Sequence, residues 1–249
     1  MVVVTGARGY IGSVLLKKIE AIGLDIEDWD IRTPRNPDTS IKCVVHLAAL
    51  VRVGESVKKP QEYYDTNVTG TLNVIKAFPN AKIIFASTGA AFNPDSPYGF
   101  SKVFGEQFVK DICKEYTIFR FYNVGGGNPN NPEGIHLSIE RAKQKGVFTI
   151  FGNDYDTKDG TCVRDFFHVE DLTDAIVKAI NEPAAMTDFE PLGSGRSYTV
   201  KEYIETYIEK YGELFDVEYG DRRKGDLAVS EVPYLSKFIK PKKQLIDIV

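Results

Sequence analysis

A tyrosine and a lysine stand four residues apart in the stretch SPYGFSK, which runs from Ser96 to Lys102. Ser96 is a suitable N-cap and Pro97 suits the first helical position, so a helix is predicted to begin here. On that helix Tyr98 and Lys102 would lie one turn apart on the same face. A lysine ammonium held there would favour the phenolate form of the tyrosine and make it a usable base near neutral pH. The alternative is a helix with a buried aromatic ring and a solvated lysine, so the rest of the chain must decide.

A glycine-rich loop opens the chain. TGARGYIG places Gly6, Gly9 and Gly12 between a predicted strand and a predicted helix. Glycines in that context permit a tight turn and let backbone N–H groups approach a pyrophosphate at the start of the helix. The loop therefore predicts a dinucleotide site.

The acid expected to complete this site is Asp30. It is predicted to end the second strand, eighteen residues beyond Gly12. A carboxylate there can accept hydrogen bonds from ribose hydroxyls and would repel a 2′-phosphate, which favours NAD. Arg8 and Arg32 are a counter-signal, because arginine near this point can accommodate the extra phosphate of NADP.

Short apolar runs alternate with helical patterns over the first half of the chain. The predicted strands are MVVVTG, LDIEDWD, CVVHLAAL, AKIIFAST and YTIFRFYN. Alternation of this kind predicts an α/β fold with a Rossmann-like, doubly wound parallel sheet. The pattern breaks at GGGNPNNPEG (Gly125–Gly134), and the remainder of the chain suggests a smaller C-terminal substrate-binding domain. The predicted domains are residues 1–127 with 166–186, and residues 128–165 with 187–249.

Composition narrows the class of protein. The 249 residues carry a formal net charge of −4, which argues against nucleic acid as the main partner. Cys43, Cys113 and Cys162 show no metal-ligand spacing, so no metal site is predicted and the thiols are typical of a reducing compartment. The N-terminus resembles no signal peptide, and no apolar run reaches the length of a membrane helix. These features predict a cytoplasmic protein without a membrane partner.

The glycine loop, HLAAL, Thr88 and Tyr98-x-x-x-Lys102 occur in the order seen in the extended short-chain dehydrogenase/reductase family, which the chain resembles. The resemblance implies that Tyr98 is the acid/base, and that Lys102 holds the nicotinamide ribose and keeps the tyrosine ionised. It implies that Thr88 hydrogen-bonds the reacting hydroxyl. The further positions that it implies around NAD are Tyr10, Ile11, Leu47, Ala48, Ala49, Val51, Asn67 and Tyr122.

Two longer stretches, GESVKKPQEYYDTNVTGTLNV and FGNDYDTKDGTCVRDFFHVEDL, closely resemble the UDP-glucose 4-epimerases of that family. RRKGD (Arg222–Asp226) resembles their second phosphate-binding segment. By this resemblance Arg164 and Arg223 would clamp a diphosphate, for which arginine forks are well suited. The other implied substrate contacts are Phe151 beside the uracil, Asp226 at the uridine ribose, Asn123, His136 and Leu137 facing the sugar nucleotide, and Thr88 and Tyr98 at the reacting hydroxyl.

The implied activity is an NAD-dependent interconversion of UDP-galactose and UDP-glucose by reversible oxidation at C4 of the hexose. The first domain would bind NAD and the second the nucleotide sugar. A homodimer is implied through the helices at Pro60–Phe78 and Pro97–Tyr116. Related 4,6-dehydratases carry an Asp–Glu pair after the catalytic threonine and related UDP-glucuronate decarboxylases carry a glutamate there. Gly89 and Ala90 occupy these positions, so both activities are disfavoured.

Two alternatives stay open. Val229 or Ser230 stands where a bulky residue limits N-acetyl sugars in some epimerases, so the substrate could be another UDP-sugar such as a UDP-N-acetylhexosamine. The chain could also be a non-catalytic protein that binds NAD or a nucleotide sugar. The joint presence of Tyr98, Lys102 and Thr88 argues against that second alternative, because a pure binder needs no tuned base.

The chain is considerably shorter than typical members. WDIRTPRNPDTSIKCVV passes from the predicted second strand to the next recognisable strand in few residues, so the third strand and its adenine-contacting acid are predicted to be missing or fused. Val51 stands where epimerases often carry a lysine. His136 stands where an asparagine usually meets the substrate.

Overall fold

The computed structural model describes residues 1–127, 132–223 and 226–249, in two compact units. The first unit is Met1–Phe121 with Thr173–Glu190, and the second is Tyr122–Leu172 with Pro191–Val249. The predicted domain crossing at residue 128, and Lys224 and Gly225 of the RRKGD segment, lie outside the described residues. The assignment of NAD to one part and the nucleotide sugar to the other stays a prediction. Within the described ranges, no helix combines the length and the apolar character that crossing a membrane requires.

Strands and helices alternate along the first half of the chain. The strands are β1 Val2–Thr5, β2 Ile22–Leu24, β3 Cys43–His46, β4 Lys82–Thr88, β5 Tyr116–Phe121, β6 Asn123–Gly125, β7 Val147–Phe151, β8 Val163–His168, β9 Glu190–Leu192, β10 Ser197–Thr199, β11 Asp216–Gly220 and β12 Val229–Ser230. The helices are α1 Tyr10–Leu15, α2 Val53–Lys58, α3 Pro60–Tyr64, α4 Gly70–Ala77, α5 Pro97–Ile112, α6 Gly134–Lys145, α7 Val169–Asn181, α8 Val200–Tyr211 and α9 Leu245–Ile248. A π-helical turn, Asp65–Thr69, joins α3 to α4, and a 3₁₀ turn, Gly89–Ala91, follows β4.

The sheet of the first unit has the strand order β2-β1-β3-β4-β5-β9, with β9 beginning at Glu190. The neighbouring pairs from β2 to β5 are parallel. β3 is buried along its whole length and β4 along nearly all of it, as expected for parallel strands covered on both faces. The predicted α/β fold with a parallel Rossmann-like sheet is confirmed.

The predicted second strand is wrong in its position. β2 ends at Leu24, and Asp25 to Trp29 form a turn in which the N–H groups of Asp28 and Trp29 donate to the Asp25 carbonyl (2.9 and 2.8 Å). Aspartate favours such local hydrogen bonds over a strand ladder, and the charges of Glu27 and Asp28 would be costly to bury. The helix before β2 is short and ends at Leu15. Asp30 therefore does not end a strand.

The predicted loss of the third strand is confirmed. Residues 25–42, all of them described, contain no strand, and β2 is the edge of the sheet. The segment instead packs on the helix α4. Asn73 donates to the Ile31 carbonyl (2.8 Å), and a Cβ at Gly70 would come within 2.7 Å of the Ile31 side chain. Trp29 and Ile31 thereby join the core of the first unit.

The second unit is built around β8. This strand pairs in parallel with β6 and β12 and antiparallel with β10. A separate parallel pair joins β7 and β11. Helices α6, α8 and α9 contribute to a core centred on Phe166 and Tyr203, whose ring centroids lie 4.3 Å apart.

Candidate active site

The catalytic helix α5 begins as predicted. Ser96 Oγ accepts a hydrogen bond from the Gly99 N–H (3.2 Å), and Pro97 takes the first helical position. Tyr98 is 8% exposed and Lys102 4% exposed. A solvated lysine is therefore excluded, and both members of the pair are buried side chains.

Thr88 ends β4 beside the tyrosine. Its hydroxyl accepts from the Ala90 N–H (3.2 Å) and its side chain hydrogen-bonds that of Tyr98. Burial raises the pKa of Tyr98, and the bond with Thr88 lowers it in part. The net direction is opposite to the one predicted from a nearby ammonium, because desolvation of the phenolate outweighs the other contributions.

The Lys102 side chain lies beside β4, near the C-terminal end of that strand. Its Nζ donates to the Ala86 carbonyl (2.8 Å) and lies 5.2 Å from the centroid of the Phe85 ring. Burial lowers the pKa of Lys102 to about 8, and the Glu106 carboxylate opposes that change. The lysine is thus poised to lose or keep its proton near neutral pH.

The glycine loop is closely packed. Gly6 has φ +69°, and a Cβ on it would come within 2.8 Å of the Ala48 backbone nitrogen. A Cβ on Gly12 would lie 2.2 Å from the Gly6 carbonyl oxygen. The Gly9 N–H donates to the Gly6 carbonyl (3.1 Å) and the Ser13 N–H to the Gly9 carbonyl (3.0 Å), so the loop leads directly into the first turn of α1.

The acid that meets the glycine loop is Asp25, not Asp30. Asp25 follows β2 directly, and its Oδ2 accepts from the Arg8 N–H (2.7 Å). Asp30 is paired with Arg32 through two nitrogens of the guanidinium (2.6 and 2.9 Å). Asp25 is thus the carboxylate in contact with the glycine loop, and the ribose contact predicted for Asp30 stays a prediction.

The two arginines that could welcome a 2′-phosphate are both neutralised. Arg8 pairs with Glu27 (2.7 Å) and Asp28 (3.0 Å), and Arg32 pairs with Asp30. With Asp25, residues 25–30 after β2 thus carry four carboxylates. This local charge favours NAD over NADP.

The segment after β3 is held in place by Asn67, which lies in the π-helical turn. Asn67 Oδ1 accepts from the Leu50 N–H (2.8 Å), and Nδ2 donates to the Leu50 carbonyl and to Ser101 Oγ (both 2.9 Å). Ser101 donates in turn to the Tyr98 carbonyl (2.8 Å). The Asn67 amide therefore links the predicted cofactor-lining loop to the catalytic helix.

The other predicted cofactor residues are spread over this region. Tyr10 is buried, Ile11, Leu47, Ala48 and Ala49 are half-buried, and Val51 is exposed; all lie in the first unit, whereas Tyr122 lies in the second. Ala48 is in contact range of Gly6, which brings the loop after β3 to the glycine loop. Their contacts with a cofactor stay predictions.

The predicted uridine-diphosphate residues come together in the second unit. The Arg223 guanidinium lies 4.6 Å from the centroid of the Phe151 ring, and its Nε donates to Asp226 (2.9 Å). Arg164 donates to the Leu227 carbonyl (2.8 Å), next to Asp226 in the chain. An aromatic face, a carboxylate and two arginines thus share one surface region.

Three further predicted substrate residues lie elsewhere in the second unit. Asn123 donates to the Asp165 carbonyl (3.5 Å), and Leu137 is half-buried in α6. His136 Nε2 accepts from the Gly126 N–H (2.9 Å) and lies 3.0 Å from the Ile248 carbonyl. These contacts favour a structural role for His136, and its contact with a substrate stays a prediction.

Sequence reasoning missed several residues of these regions. Asp25 was missed because β2 ends at Leu24, six residues before the predicted end at Asp30. Arg222 precedes Arg223 and stacks 4.2 Å over the Tyr155 ring while pairing with Asp154 (2.7 Å). The resemblance of the RRKGD motif points to Arg223 alone, although two adjacent arginines are themselves a usable signal.

A parallel α/β sheet with a glycine loop after its first strand and a buried Tyr-x-x-x-Lys pair defines the class as a Rossmann-type nucleotide-cofactor protein. The profile of the NAD dependent epimerase/dehydratase family matches residues 2–200. The chain belongs to that family.

Among its relatives, the UDP-glucose 4-epimerase of Rhizobium meliloti (strain 1021) is 35% identical, over 90% of this chain and 86% of that one. The UDP-glucose 4-epimerase of Lactobacillus helveticus is 34% identical with the same coverage. The alignment with the Rhizobium enzyme spans 288 positions, more than the 249 residues of this chain, so the relative contains segments that this chain lacks.

Solved structures agree. UDP-glucose 4-epimerase from Bifidobacterium longum, in complex with NAD⁺ and UDP, superposes with a TM-score of 0.81 at 27% identity, covering 99% of this chain and 95% of that one. The Brucella ovis enzyme, in complex with NAD, gives a TM-score of 0.83 at 26% identity with the same coverage.

Proposed function

We propose that this chain interconverts UDP-galactose and UDP-glucose by NAD-dependent reversible oxidation at C4 of the hexose. The observation that carries the proposal is the buried set of Tyr98, Thr88 and Lys102 at the end of β4, in a chain 35% identical to a UDP-glucose 4-epimerase. A protein that only binds a nucleotide or a nucleotide sugar would gain nothing from a buried tyrosine and lysine, because both groups are costly to desolvate.

The residues present fit NAD. The glycine loop excludes side chains at Gly6 and Gly12, and the Asp25 carboxylate lies at its edge. The loop would hold the pyrophosphate, Asp25 the adenosine ribose, and Lys102 the nicotinamide ribose. When bound, NAD supplies the reversible oxidation and reduction at C4 of the sugar.

The protein's own residues move the proton and hold the substrate. Tyr98 would take the proton of the 4-hydroxyl and return it, with Thr88 fixing the direction of that hydroxyl. Arg164 and Arg223 would anchor the diphosphate through charge-assisted hydrogen bonds. Because the diphosphate and not the hexose is anchored, the hexose is free to turn over between the two proton transfers.

Conversion of UDP-galactose to UDP-glucose by the purified protein, with and without added NAD, tests the proposal. Turnover without added NAD means that the cofactor is retained through purification despite the shortened adenine side. Turnover only with added NAD means that the shortening of the chain weakens cofactor binding. A protein that binds UDP-galactose but converts none under either condition contradicts the proposal and favours the non-catalytic alternative.

A second substrate class is favoured by one feature. β12 consists of Val229 and Ser230, neither of which has a bulky side chain, and Val229 is exposed. A structural relative at 28% identity and TM-score 0.77 is named as a UDP-Glc/GlcNAc 4-epimerase from Campylobacter jejuni. Comparing kcat/KM for UDP-galactose and UDP-N-acetylgalactosamine decides between the two substrates. Replacing Ser230→Tyr should reduce only the second value if this position limits sugar size.

A homodimer through the catalytic helix is part of the proposal. α5 exposes Phe100, Phe104 and Ile112 at four-residue or eight-residue spacing, with 43%, 47% and 51% of each residue accessible. The Tyr64 ring of α3 lies against Phe104 with centroids 6.5 Å apart. A row of large apolar side chains on one helix face is typical of a protein interface. We expect Phe104→Glu to convert a dimer to a monomer in light scattering, and a monomeric wild type would contradict the dimer.

A cytoplasmic location also belongs to the proposal. Its support is that Cys43, Cys113 and Cys162 are free thiols, none of them paired in a disulfide.

A further inference from the structure

Glu106 is a buried carboxylate one helical turn beyond Lys102. It is 3% exposed, and each of its oxygens has a hydrogen-bond partner. Oε1 accepts from Ser87 Oγ (2.5 Å) and from Arg120 Nε (2.8 Å), and Oε2 accepts from Arg120 Nη2 (2.7 Å). The paired Arg120 is itself covered by the Phe189 ring, whose centroid lies 4.0 Å from the guanidinium carbon.

The position of this ion pair is unusual for a purely structural one. A buried ion pair is weak evidence for stability, because desolvation of both charges offsets their attraction. Glu106 reaches two parts of the catalytic set instead. It bonds Ser87, the residue before Thr88 on β4, and it lies one turn from Lys102 on the same face of α5, with both side chains buried.

The groups facing Lys102 come from several elements. On α5 they are Tyr98 and Glu106, and on β4 they are the Ala86 carbonyl and the Phe85 ring. On β3 the group is His46, and on α3 it is Tyr63, which packs against Tyr98. On β5 it is Arg120, through its bond to Glu106. Burial lowers the pKa of His46 to about 3, so its ring is neutral at physiological pH, and burial raises the pKa of Tyr63 to about 12. Among these groups Glu106 is the one that raises the pKa of Lys102.

We propose that Glu106 is a positioning residue of the active site, which keeps Lys102 cationic and fixes the end of β4 that carries Thr88. The proposal rests on the proposed function in so far as Lys102 and Thr88 serve turnover. It assigns Glu106 two separable actions, one through charge on Lys102 and one through the hydrogen bond to Ser87.

The charge action is measured without turnover. Lysines labelled with ¹³C at Cε report their protonation by NMR, and the Lys102 signal is the one that disappears in Lys102→Arg. In Glu106→Gln the pKa of Lys102 should fall by about one unit or more, as expected when an opposite charge close by is removed. The matched control is Asp111→Asn on the same helix, whose carboxylate bonds Gln107 at the surface and should leave Lys102 unchanged.

Turnover then separates the two actions. Because Lys102 of Glu106→Gln loses its proton at lower pH, kcat should fall severalfold more at pH 8 than at pH 6.5. Glu106→Asp keeps the charge but is too short to hold Ser87, so it should lower kcat by the same factor at both pH values. A fall that is independent of pH in Glu106→Gln would overturn the charge action and leave only a structural role.

Glu106→Gln leaves Arg120 buried without its partner and could prevent folding. The double variant Glu106→Gln/Arg120→Gln avoids the unpaired charge. Because loss of the Arg120 cation itself raises the pKa of Lys102, the double variant is compared with Arg120→Gln, from which it differs only in the Glu106 charge. A pKa of Lys102 that is unchanged in folded Glu106→Gln, or equal in the double variant and Arg120→Gln, overturns the proposal. Since this measurement needs no substrate, it is distinct from a failure of the proposed function, which is a wild type without conversion of any UDP-sugar.

Discussion

Two regions of the first unit, at the ends of the parallel strands β4 and β2, are built in opposite ways. At the end of β4, Tyr98, Lys102 and Glu106 are buried, and hydrogen bonds to Thr88, Ala86 and Ser87 fix their places. At the end of β2 the chain turns at once. The charged side chains there, such as Arg8 with Glu27, pair at the surface.

The difference teaches what each part of the site requires. Proton transfer depends on groups held within a fraction of an ångström and on pKa values set by burial, so the end of β4 keeps its full buried network. Holding the adenosine end of a dinucleotide needs only a few polar contacts at the rim of the sheet. Polar groups that could make such contacts, such as the Asp25 carboxylate, remain at the end of β2 without the third strand, although the ion pairs around them are exposed and weak.

The largest expected effect comes from removing the reacting hydroxyl of the buried region. Tyr98→Phe removes the hydroxyl and keeps the ring that packs edge-on against Tyr63. Loss of a general acid/base lowers turnover by a factor of about 10²–10⁴. UDP binding measured by calorimetry should stay unchanged, because the residues proposed to hold the diphosphate, Arg164 and Arg223, belong to the second unit. Unaltered turnover in Tyr98→Phe would remove the tyrosine from the mechanism.

The next effect concerns Lys102, whose burial serves the proposed function but lowers the stability of the folded state. Lys102 is charged at pH 7, yet burial lowers its pKa from 10.5 to about 8, so its burial weakens the folded state by up to about 3 kcal/mol at pH 7. Lys102→Met should therefore raise the free energy of unfolding while abolishing turnover. The lost bond to Ala86 offsets about 1 kcal/mol of the gain.

The pH dependence of the stability difference between Lys102→Met and the wild type tests its sign. The burial penalty is full below pH 8 and disappears as the pH rises towards 10.5, where the unfolded lysine also loses its proton. The stability advantage of Lys102→Met, followed by urea unfolding, should thus shrink between pH 7 and pH 10. A variant less stable than the wild type at pH 7 would show that the contacts of Lys102 outweigh its desolvation.

Much of the buried region could be predicted from sequence. Ser96 and Pro97 signalled the start of α5, and the spacing of Tyr98 and Lys102 signalled a shared helix face. These signals are local, since capping and helical spacing depend on residues within one turn. The pKa shifts of the pair could not be predicted, because they depend on burial, on the bond of Tyr98 with Thr88 and, for Lys102, on Glu106.

The shortened region was harder for a physical reason. Asp30 and Asp25 both follow apolar residues, and only the pairing of Ile22–Leu24 with β1 decides which acid ends the strand. That register depends on how early α1 ends, which no local motif in KKIEAIG fixes. The contacts of His136 could not be predicted for the same reason, since its ring lies 3.0 Å from the Ile248 carbonyl, far away in the chain.

A smaller effect comes from the histidine beneath the buried region. His46 Nε2 lies 3.0 Å from Thr71 Oγ1, which donates to the Asn67 carbonyl (2.6 Å), so Nε2 carries the proton and Nδ1 accepts from Thr5. Because the pKa of His46 is about 3 when folded and about 6.5 when unfolded, acid favours the unfolded chain from pH 6.5 downwards.

At pH 5 this difference amounts to about 2 kcal/mol. His46→Gln keeps a donor and an acceptor but does not titrate. We expect the wild type to lose about 2 kcal/mol more of its unfolding free energy than His46→Gln between pH 7.5 and pH 5. His136 and His168 also have lowered pKa values, but they are common to both proteins and cancel in the comparison. Equal losses in the two proteins would mean that His46 takes up its proton while folded.

The smallest expected effect sharpens the comparison at the shortened end. Asp25 follows β2 and bonds the Arg8 N–H of the glycine loop, whereas Asp30 is engaged by Arg32 five residues later. Asp25→Asn keeps a side-chain oxygen for the loop but loses the charge that a ribose hydroxyl prefers as acceptor. A hydrogen bond to a charged group contributes about 1.5–3 kcal/mol, so NAD should bind about tenfold more weakly.

Asp30→Asn is the matched control, because it removes the same charge from the same segment without touching the glycine loop. Calorimetric titration of both variants with NAD and with NADP gives four affinities. Only Asp25→Asn should lose NAD affinity, and its preference for NAD over NADP should narrow, since a carboxylate that repels the 2′-phosphate is gone. If Asp30→Asn weakens NAD binding instead, the bound cofactor must draw Asp30 to the rim, and the end of β2 would be rebuilt on binding. The buried end of β4, whose side chains are already fixed by hydrogen bonds, has no comparable freedom.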